Sequence, residues 1–422
     1  MLDIKFIREN KDLIQVGAKK KHLDFEAAKL LEIDEKRREL TVAVEKKRAE
    51  QNSFNEKIVK AAPEAKAGLI SEMKSVKEAL QKDEAELTEI MKNWQLQMLQ
   101  VPNLPDMSVP EGASDAENVE VRTWGEIPKF DFKPKGHIEL MTALGMIDLD
   151  RGAKVSGFRG YYLKNDAVRL NFAIWQYALD FFSQRGFESM LVPSIAKREN
   201  LMGTGYLPQG EEDLYKTQDG DYLAGTAEVA TMGYFSGEVL DKSELPKKFL
   251  SFSESFRREA GSHGKDTKGL MRVHEFYKWE QVVLCEASHE TSVKFHEELT
   301  KNAEDFIQSL GLAYHVVVNC GGDLGLGQVK KYDIETWVPS ENKYRETHSS
   351  SYFHDFQTRR LNIRYKDTDG KMRFAHSLNN TAIATPRVLI QLVENYQQAD
   401  GSIIVPEVLR PYVGKDKIGP KS

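Results

Sequence analysis

The sequence predicts an α+β protein: an N-terminal antiparallel two-helix coiled-coil arm, then a larger domain in which helices flank an antiparallel β-sheet. Three observations carry this. From Glu26 to about Leu99 the chain is charged, poor in glycine and broken once, at Ala61-Ala62-Pro63-Glu64 and Gly68. Pro102, Pro105 and Pro110, with Gly112 and Ser114, then end the helical pattern and mark a linker. Beyond the linker, strands and helices mix without a regular βαβ rhythm, which disfavours a parallel sheet. At 422 residues the chain is too long for one ordinary core, so two units are expected, residues 1–100 and 101–422.

The arm follows from its apolar spacing. Leu69, Met73, Val76, Leu80, Leu87, Ile90 and Trp94 alternate four and three apart, with a gap where Asp83 falls on the seam. Ile33, Leu40, Val44, Phe54 and Ile58 give a weaker seam in the first half. Two helices of about 35 residues with narrow seams and a short link fold back on one another, giving an arm roughly 50 Å long. Its solvent faces carry Lys46-Lys47-Arg48, Lys57 and Lys60, interleaved with glutamates. Taken alone, such a pattern is a solvated face, and an arm of this kind is more often a spacer or an oligomerisation element.

Charge and cysteine usage narrow the class. A net charge of −6 argues against a protein that coats nucleic acid, so any RNA contact must be local to one element. Cys285 and Cys320 lack the spacing of a disulfide framework or a zinc site and read as buried apolar fillers. No apolar run is long enough to span a bilayer, and Met1 opens into a mixed-charge segment without a signal-peptide core. A cytoplasmic protein with no membrane partner is expected.

In the second domain, a helix from about Ala167 to Gln184 presents Ile174, Tyr177, Ala178 and Phe181 on one side, stops near Gly186 and leads into a strand from Phe187 to Val192. Further strands are predicted at Phe249–Phe252, Gln281–Leu284 and Tyr314–Val318. The familiar nucleotide folds do not fit. Gly264-Lys265 is followed by Asp266 where a P-loop needs Ser or Thr, and the glycines at 321, 322, 325 and 327 do not spell the dinucleotide fingerprint.

Two long segments carry a specific resemblance. FRREAGSHGKDTKGLMRVHEF, beginning at Phe256, resembles motif 2 of class II aminoacyl-tRNA synthetases in its seryl form. LNNTAIATPRVLIQLVENYQQADGSIIVPEVLRPYV, beginning at Leu378, resembles motif 3 with the seryl C-terminal signature. The helix and strand ending at Val192-Pro193 resemble motif 1, Gly225-Thr226-Ala227-Glu228 resembles the serine-site segment, and the arm lies where bacterial seryl enzymes have theirs. The motifs span about 167–193, 249–284 and 376–397.

The resemblance implies a class II catalytic domain that activates L-serine with ATP and transfers it to serine tRNA, and to selenocysteine tRNA as well. In-line attack of a carboxylate on the α-phosphate brings two anions together and demands fixed cations. The resemblance gives Arg257 the α-phosphate and the serine carboxylate, Arg387 the far phosphates, and Glu346 and Ser349 the Mg²⁺ carried with ATP. Phe276 would stack on adenine, Glu259 would accept from its amine, and Arg258, Val273, Thr347 and His348 complete the ATP set. Thr226, Ala227, Glu228, Arg257, Glu280 and Thr381 form the serine set, where a site that hydrogen-bonds the hydroxyl rejects alanine strongly. A pairing of Glu280 with Lys278 is the duller alternative. Glu346-Thr347-His348-Ser349 stands where the family more commonly has Glu-Ile-Ser-Ser, and residues 380–387 replace a Gly/Ser-rich stretch. No zinc is expected.

Motif 1 builds a dimer interface in this family, so a homodimer is expected, with Phe181 and Phe182 as aromatic bulk that a monomer would expose. Two rivals are a carrier-protein-loading relative, which lacks the long arm, and a catalytically dead paralogue, which would have lost Arg257, Glu346 or Arg387. All three are present.

Overall fold

The computed structural model describes residues 1–261, 264 and 266–419, so Ser262, His263 and Lys265 of the motif 2 segment lie outside the described residues. The chain divides into two compact units, Met1–Lys19 with Leu23–Pro102, and Lys20–His22 with Asn103–Ser422.

The first unit holds short helices α1 (Ile4–Glu9) and α2 (Lys11–Lys20) and long helices α3 (Ala27–Lys60) and α4 (Pro63–Gln100). Asp3 caps α1 by accepting from the Lys5 amide at 2.8 Å. Pro63 stands at the start of α4, where its missing N–H costs nothing. The two long helices have 34 and 38 residues, so each runs about 50–57 Å. Arg37 lies over Trp94, and further along α3 Lys47 pairs with Asp83, ten residues on in one helix against eleven back in the other, as an antiparallel hairpin requires. Lys36–Glu86 and Arg48–Glu84 are further cross-helix pairs. Lys47 meets Asp83 at 2.7 Å, which explains how the apolar seam tolerates an aspartate. Lys47 and Arg48 are therefore cross-helix partners rather than free surface charges, whereas Lys46 is exposed. Near the base, Asp34 is buried and would be costly alone, but Arg8 and Arg37 hold it at 2.8 and 2.9 Å, and Arg37 lies 4.8 Å over Trp94.

The second unit is organised on an eight-stranded sheet. Its strands are β1 (Val119–Trp124), β2 (Glu188–Leu191), β3 (Lys247–Phe256), β4 (Glu275–Cys285), β5 (Tyr314–Val318), β6 (Lys330–Val338), β7 (Lys343–His354) and β8 (His376–Thr385). The order is β1-β5-β6-β7-β8-β4-β3-β2, and every pairing is antiparallel except β2 with β3 at one edge. The predicted helix is α5 (Asp166–Ser183), and a second long helix is α8 (His289–Ser309). Phe182 is fully buried and Phe181 half-buried, both packed into the core of this unit. Phe181 and Phe182 are therefore not the exposed aromatic bulk expected of them; large apolar side chains that the motif 1 segment does expose include Phe172 at 61% and Leu191 at 81%.

Two interruptions of the ladder matter for the site. The β4–β8 register shifts between Trp279 and Glu280, and the β6–β7 register shifts between Ile334 and Glu335. Each bulge adds a residue to one strand and re-aims the side chains beside it. The first sets Glu280 opposite Thr381; the second turns both Glu346 and Thr347 to one face.

Candidate active site

One face of the central strands borders a cavity of about 280 Å³. Because successive strand residues point to opposite faces, Phe276, Lys278 and Glu280 reach it from β4, and Thr347, Ser349 and Ser351 from β7. Asn379 and Thr381 reach it from β8, and Arg387, the first residue of helix α9 (Arg387–Asn395), closes another side. Leu270, Met271 and Val273, all buried, give an apolar wall beside Phe276 and Glu259.

Five cations line the cavity: Arg257, Arg272, Lys278, Lys331 and Arg387. Four are engaged by carboxylates. Arg272 meets Glu259 at 3.2 Å and Asp266 at 3.1 Å, and Lys331 meets Asp333 at 3.3 Å. Arg387 lies 3.6 Å from the Glu346 carboxylate and donates to the Met271 and Glu346 carbonyls. Lys278 meets Glu280 at 2.5 Å, so the pairing set aside on sequence grounds is present, with both partners still facing the cavity. Arg257 alone has no carboxylate within ion-pairing distance among the described residues. It donates to the Gly225 carbonyl at 3.3 Å and lies 5.3 Å over the Phe276 ring.

The electrostatics follow from burial and these partners. Burial raises the Glu280 carboxyl despite Lys278 and Arg257, and burial lowers the Lys278 amine despite Glu280. Glu346 is different: burial works to raise it, yet Arg387, Lys331 and Arg257 together hold its carboxyl below the ordinary range. Half of its side chain is exposed, so an ionised carboxylate is presented to the cavity.

The remaining expected residues divide cleanly. Glu259, Val273, Phe276, Glu280, Glu346, Thr347, Ser349, Thr381 and both arginines Arg257 and Arg387 line the cavity. His348 does not: it falls between Thr347 and Ser349 on the strand, so its ring points to the opposite face and contacts the Ala382 carbonyl at 3.0 Å. Burial there pulls it down to about 4. Arg258 is exposed and outside the cavity wall. Thr226 caps helix α7 (Ala227–Tyr234), and Thr226, Ala227 and Glu228 lie buried behind the wall.

Sequence reasoning missed Tyr206, Arg272, Gln328, Lys331, Ser351 and Asn379. Stepping by two from Ser349 would have found Ser351. Gln328 and Tyr206 come from loops with no such signal. The Gln328 loop is fixed by the Lys21 amine, which donates to the Gly325, Leu326 and Gln328 carbonyls and which burial lowers to about 7.

Comparison with known proteins is decisive on kinship. Residues 1–105 match the model of the seryl-tRNA synthetase N-terminal domain, and residues 215–396 match the class II tRNA synthetase core domain for G, H, P, S and T. A serine–tRNA ligase of Deinococcus radiodurans is 48% identical over 415 residues, 98% of each chain. One from Treponema denticola is 42% identical over 99% of this chain and all of its own. The solved seryl-tRNA synthetase of Pyrococcus horikoshii complexed with ATP superposes over the whole of both chains with a TM-score of 0.92 at 37% identity.

Proposed function

The chain belongs to the seryl-tRNA synthetase family, and we propose from that premise how its own residues divide the family's work. The reaction joins serine to serine tRNA: serine and ATP give seryl-adenylate and pyrophosphate, and the seryl group passes to the 3′ end of the tRNA. The observation that carries the assignment is Arg257, the one cavity cation without a carboxylate partner among the described residues. It stands within the electrostatic reach of Glu280, Tyr206 and Glu346.

Arg257 bridges the serine carboxylate and the α-phosphate, supplying a fixed charge where two anions meet. Phe276 and the apolar wall at Leu270, Met271 and Val273 take the adenine, with Glu259 at its edge. Arg387 takes the outer phosphates and Arg272 stands beside it. Glu280 and Thr381, opposite one another across β4 and β8, take the polar groups of serine.

Mg²⁺ fits the donors present. Glu346 offers an ionised carboxylate and Ser349 a hydroxyl, both hard oxygen ligands, and among the described residues no group of three His, Cys, Asp or Glu forms a metal cage. That suits a cation held chiefly by substrate phosphates, where it would neutralise charge on the leaving pyrophosphate. Residues 101–422 form the catalytic domain and residues 1–100 the tRNA-binding domain, whose arm grips serine tRNA and, as in the expectation above, selenocysteine tRNA. A cytoplasmic homodimer joined through the motif 1 segment accounts for exposed Phe172 and Leu191.

Pyrophosphate exchange run with each of the twenty amino acids tests the assignment. Exchange with serine alone is expected. Exchange driven equally by alanine or threonine would remove Glu280 and Thr381 from their roles.

A further inference from the structure

Glu228 belongs to the segment whose resemblance gives it to serine, yet the structure withholds it from the cavity. Glu228 is 2% exposed and both of its carboxylate oxygens are occupied. Oε1 accepts from the Gln357 amide at 2.7 Å, and Oε2 accepts from the Tyr206 hydroxyl at 3.0 Å. Gln357 is itself fixed, accepting from the Ser377 hydroxyl at 2.7 Å and donating to the Thr204 carbonyl at 3.2 Å. A direct contact from Glu228 to a ligand would require this buried network to open.

Tyr206 is the residue that stands in between. It lines the cavity, and the charges of Glu228, Arg257 and Glu280 all act on its phenol. Its position is set by the end of helix α6 (Arg198–Thr204). Gly205 follows in the left-handed region at φ +94°, which only glycine adopts freely, and the Tyr206 amide turns back to the Leu201 carbonyl at 2.9 Å. A Cβ at position 205 would also press on the Phe356 ring at 3.1 Å.

A phenol has one proton and two acceptor lone pairs. The proton goes to Glu228, and burial together with that neighbouring charge raises the phenol well above its ordinary value, so it stays protonated. The oxygen keeps its acceptor capacity, and donating to a carboxylate makes it a stronger acceptor. Resting on the serine-site reading above, we propose that Tyr206 is a serine-binding residue whose phenolic oxygen accepts a hydrogen bond from the substrate ammonium, with Glu228 acting through it as a positioning residue. Glu280 is neutralised by Lys278, so Tyr206 backed by Glu228 supplies negative potential that the Glu280 side of the pocket has already spent.

Tyr206→Phe removes one oxygen and keeps the ring. KM for serine in pyrophosphate exchange should rise roughly tenfold to a hundredfold, the worth of one hydrogen bond to a charged group, with KM for ATP unchanged. Glu228→Gln should act in the same direction, and the double variant should be no worse than the poorer single variant. Binding of the sulfamoyl analogue of seryl-adenylate, with and without its amino group, separates contact from packing. Tyr206→Phe should weaken the amino-bearing analogue and leave the deaminated one alone. Equal weakening of both, or a serine KM within twofold of wild type while Glu228→Gln raises it, would overturn the proposal. Arg257→Lys checks the underlying reading separately: if it leaves KM for serine unchanged, serine does not bind at this end of the cavity and both ideas fall.

Discussion

Replacing Arg257 by alanine removes the only cavity cation whose charge is not already countered by a carboxylate among the described residues. The other four cannot swing to its place without abandoning partners: Lys278 would leave Glu280 at 2.5 Å, Arg272 would leave Glu259 and Asp266, Lys331 would leave Asp333, and Arg387 would leave Glu346. Leaving any of those carboxylates unpaired in a half-enclosed site is itself costly. Structural damage should be slight, since Arg257 makes one 3.3 Å hydrogen bond to the Gly225 carbonyl and one cation–π contact. What is lost is stabilisation of charge that develops as carboxylate meets phosphate. A preorganised donor of this kind is worth about 2.7–4 kcal/mol, or about 10²–10³ in rate. Serine-dependent pyrophosphate exchange should fall by at least that factor in Arg257→Ala, and Arg257→Lys should recover only part, because an ammonium lacks the fork that spans two anions. The assay needs a companion measurement of the unfolding midpoint. Exchange within threefold of wild type, in a variant with an unchanged midpoint, would refute the bridging role and the argument from unpaired charge with it.

Deleting Glu26–Leu99 with a short linker in its place should leave serine activation near wild type, since no assigned ATP or serine residue lies there, while aminoacylation falls through weaker tRNA binding. Normal charging by the armless protein would make the arm a spacer. Charge reversal at exposed Lys46 should weaken tRNA binding and flatten its salt dependence without altering the thermal midpoint, whereas reversal at Lys47 should lower the midpoint, because it sets two negative charges together at Asp83. Light scattering should give twice 48.0 kDa, and Phe172→Glu with Leu191→Glu should halve it. His348 is held neutral by burial, its value lowered to about 4 against an ordinary 6.5, so it contributes stability that is full above pH 6.5 and is lost as pH falls toward 4. At pH 5 the loss is about 2 kcal/mol relative to neutral pH. The stability deficit of His348→Gln in urea should shrink by that amount between pH 7 and pH 5, and a deficit independent of pH would contradict it.

The arm was legible because one rule governs it: the seam and the break at Ala61–Glu64 lead directly to Ala27–Lys60 and Pro63–Gln100. Strand β5 was legible as well, Tyr314–Val318 ending in three consecutive β-branched valines. Strand β6 does carry an alternation through Tyr332, Ile334 and Val338, but strand β7 was not legible, and the reason is chemical. Glu346, Thr347, Ser349 and Ser351 put polar groups toward the cavity while His348 and Ser350 put polar groups on the other face, so no apolar alternation announces it. The cavity erased its own signal. Helix α8 (His289–Ser309) hid for a related reason: it buries His296, Thr300, Asn302 and Glu304. Site residues on strands were recoverable in principle by alternation, which also excludes His348. Tyr206 was not, because its place depends on a left-handed glycine at the end of a short helix.

The polar layer behind the cavity gives a physical reason why the site tolerates its unusual residues. On that face Gln281 donates to Asn380 at 2.7 Å and to the Leu299 carbonyl at 3.2 Å, and accepts from Asn302 at 3.1 Å. Thr300 donates to the Ser350 hydroxyl at 2.9 Å, His296 contacts the Ser350 carbonyl at 3.0 Å, and His348 reaches Ala382 across β7 and β8. These bonds tie α8, β4, β7 and β8 to one another at fixed positions. Apolar residues of similar volume could hold the same layers together, but they would not distinguish one register from the next. A slip of one residue would carry Glu280, Thr381 and Ser349 to the back of the sheet and bring Gln281, Asn380 and Ser350 into the cavity. The directed bonds penalise that slip, and they do so around the two bulges on which the aim of Glu280 and Glu346 depends. His348 therefore departs from the commoner family residue on the face that fixes register, leaving the cavity-facing positions Glu346 and Ser349 with the chemistry the reaction requires.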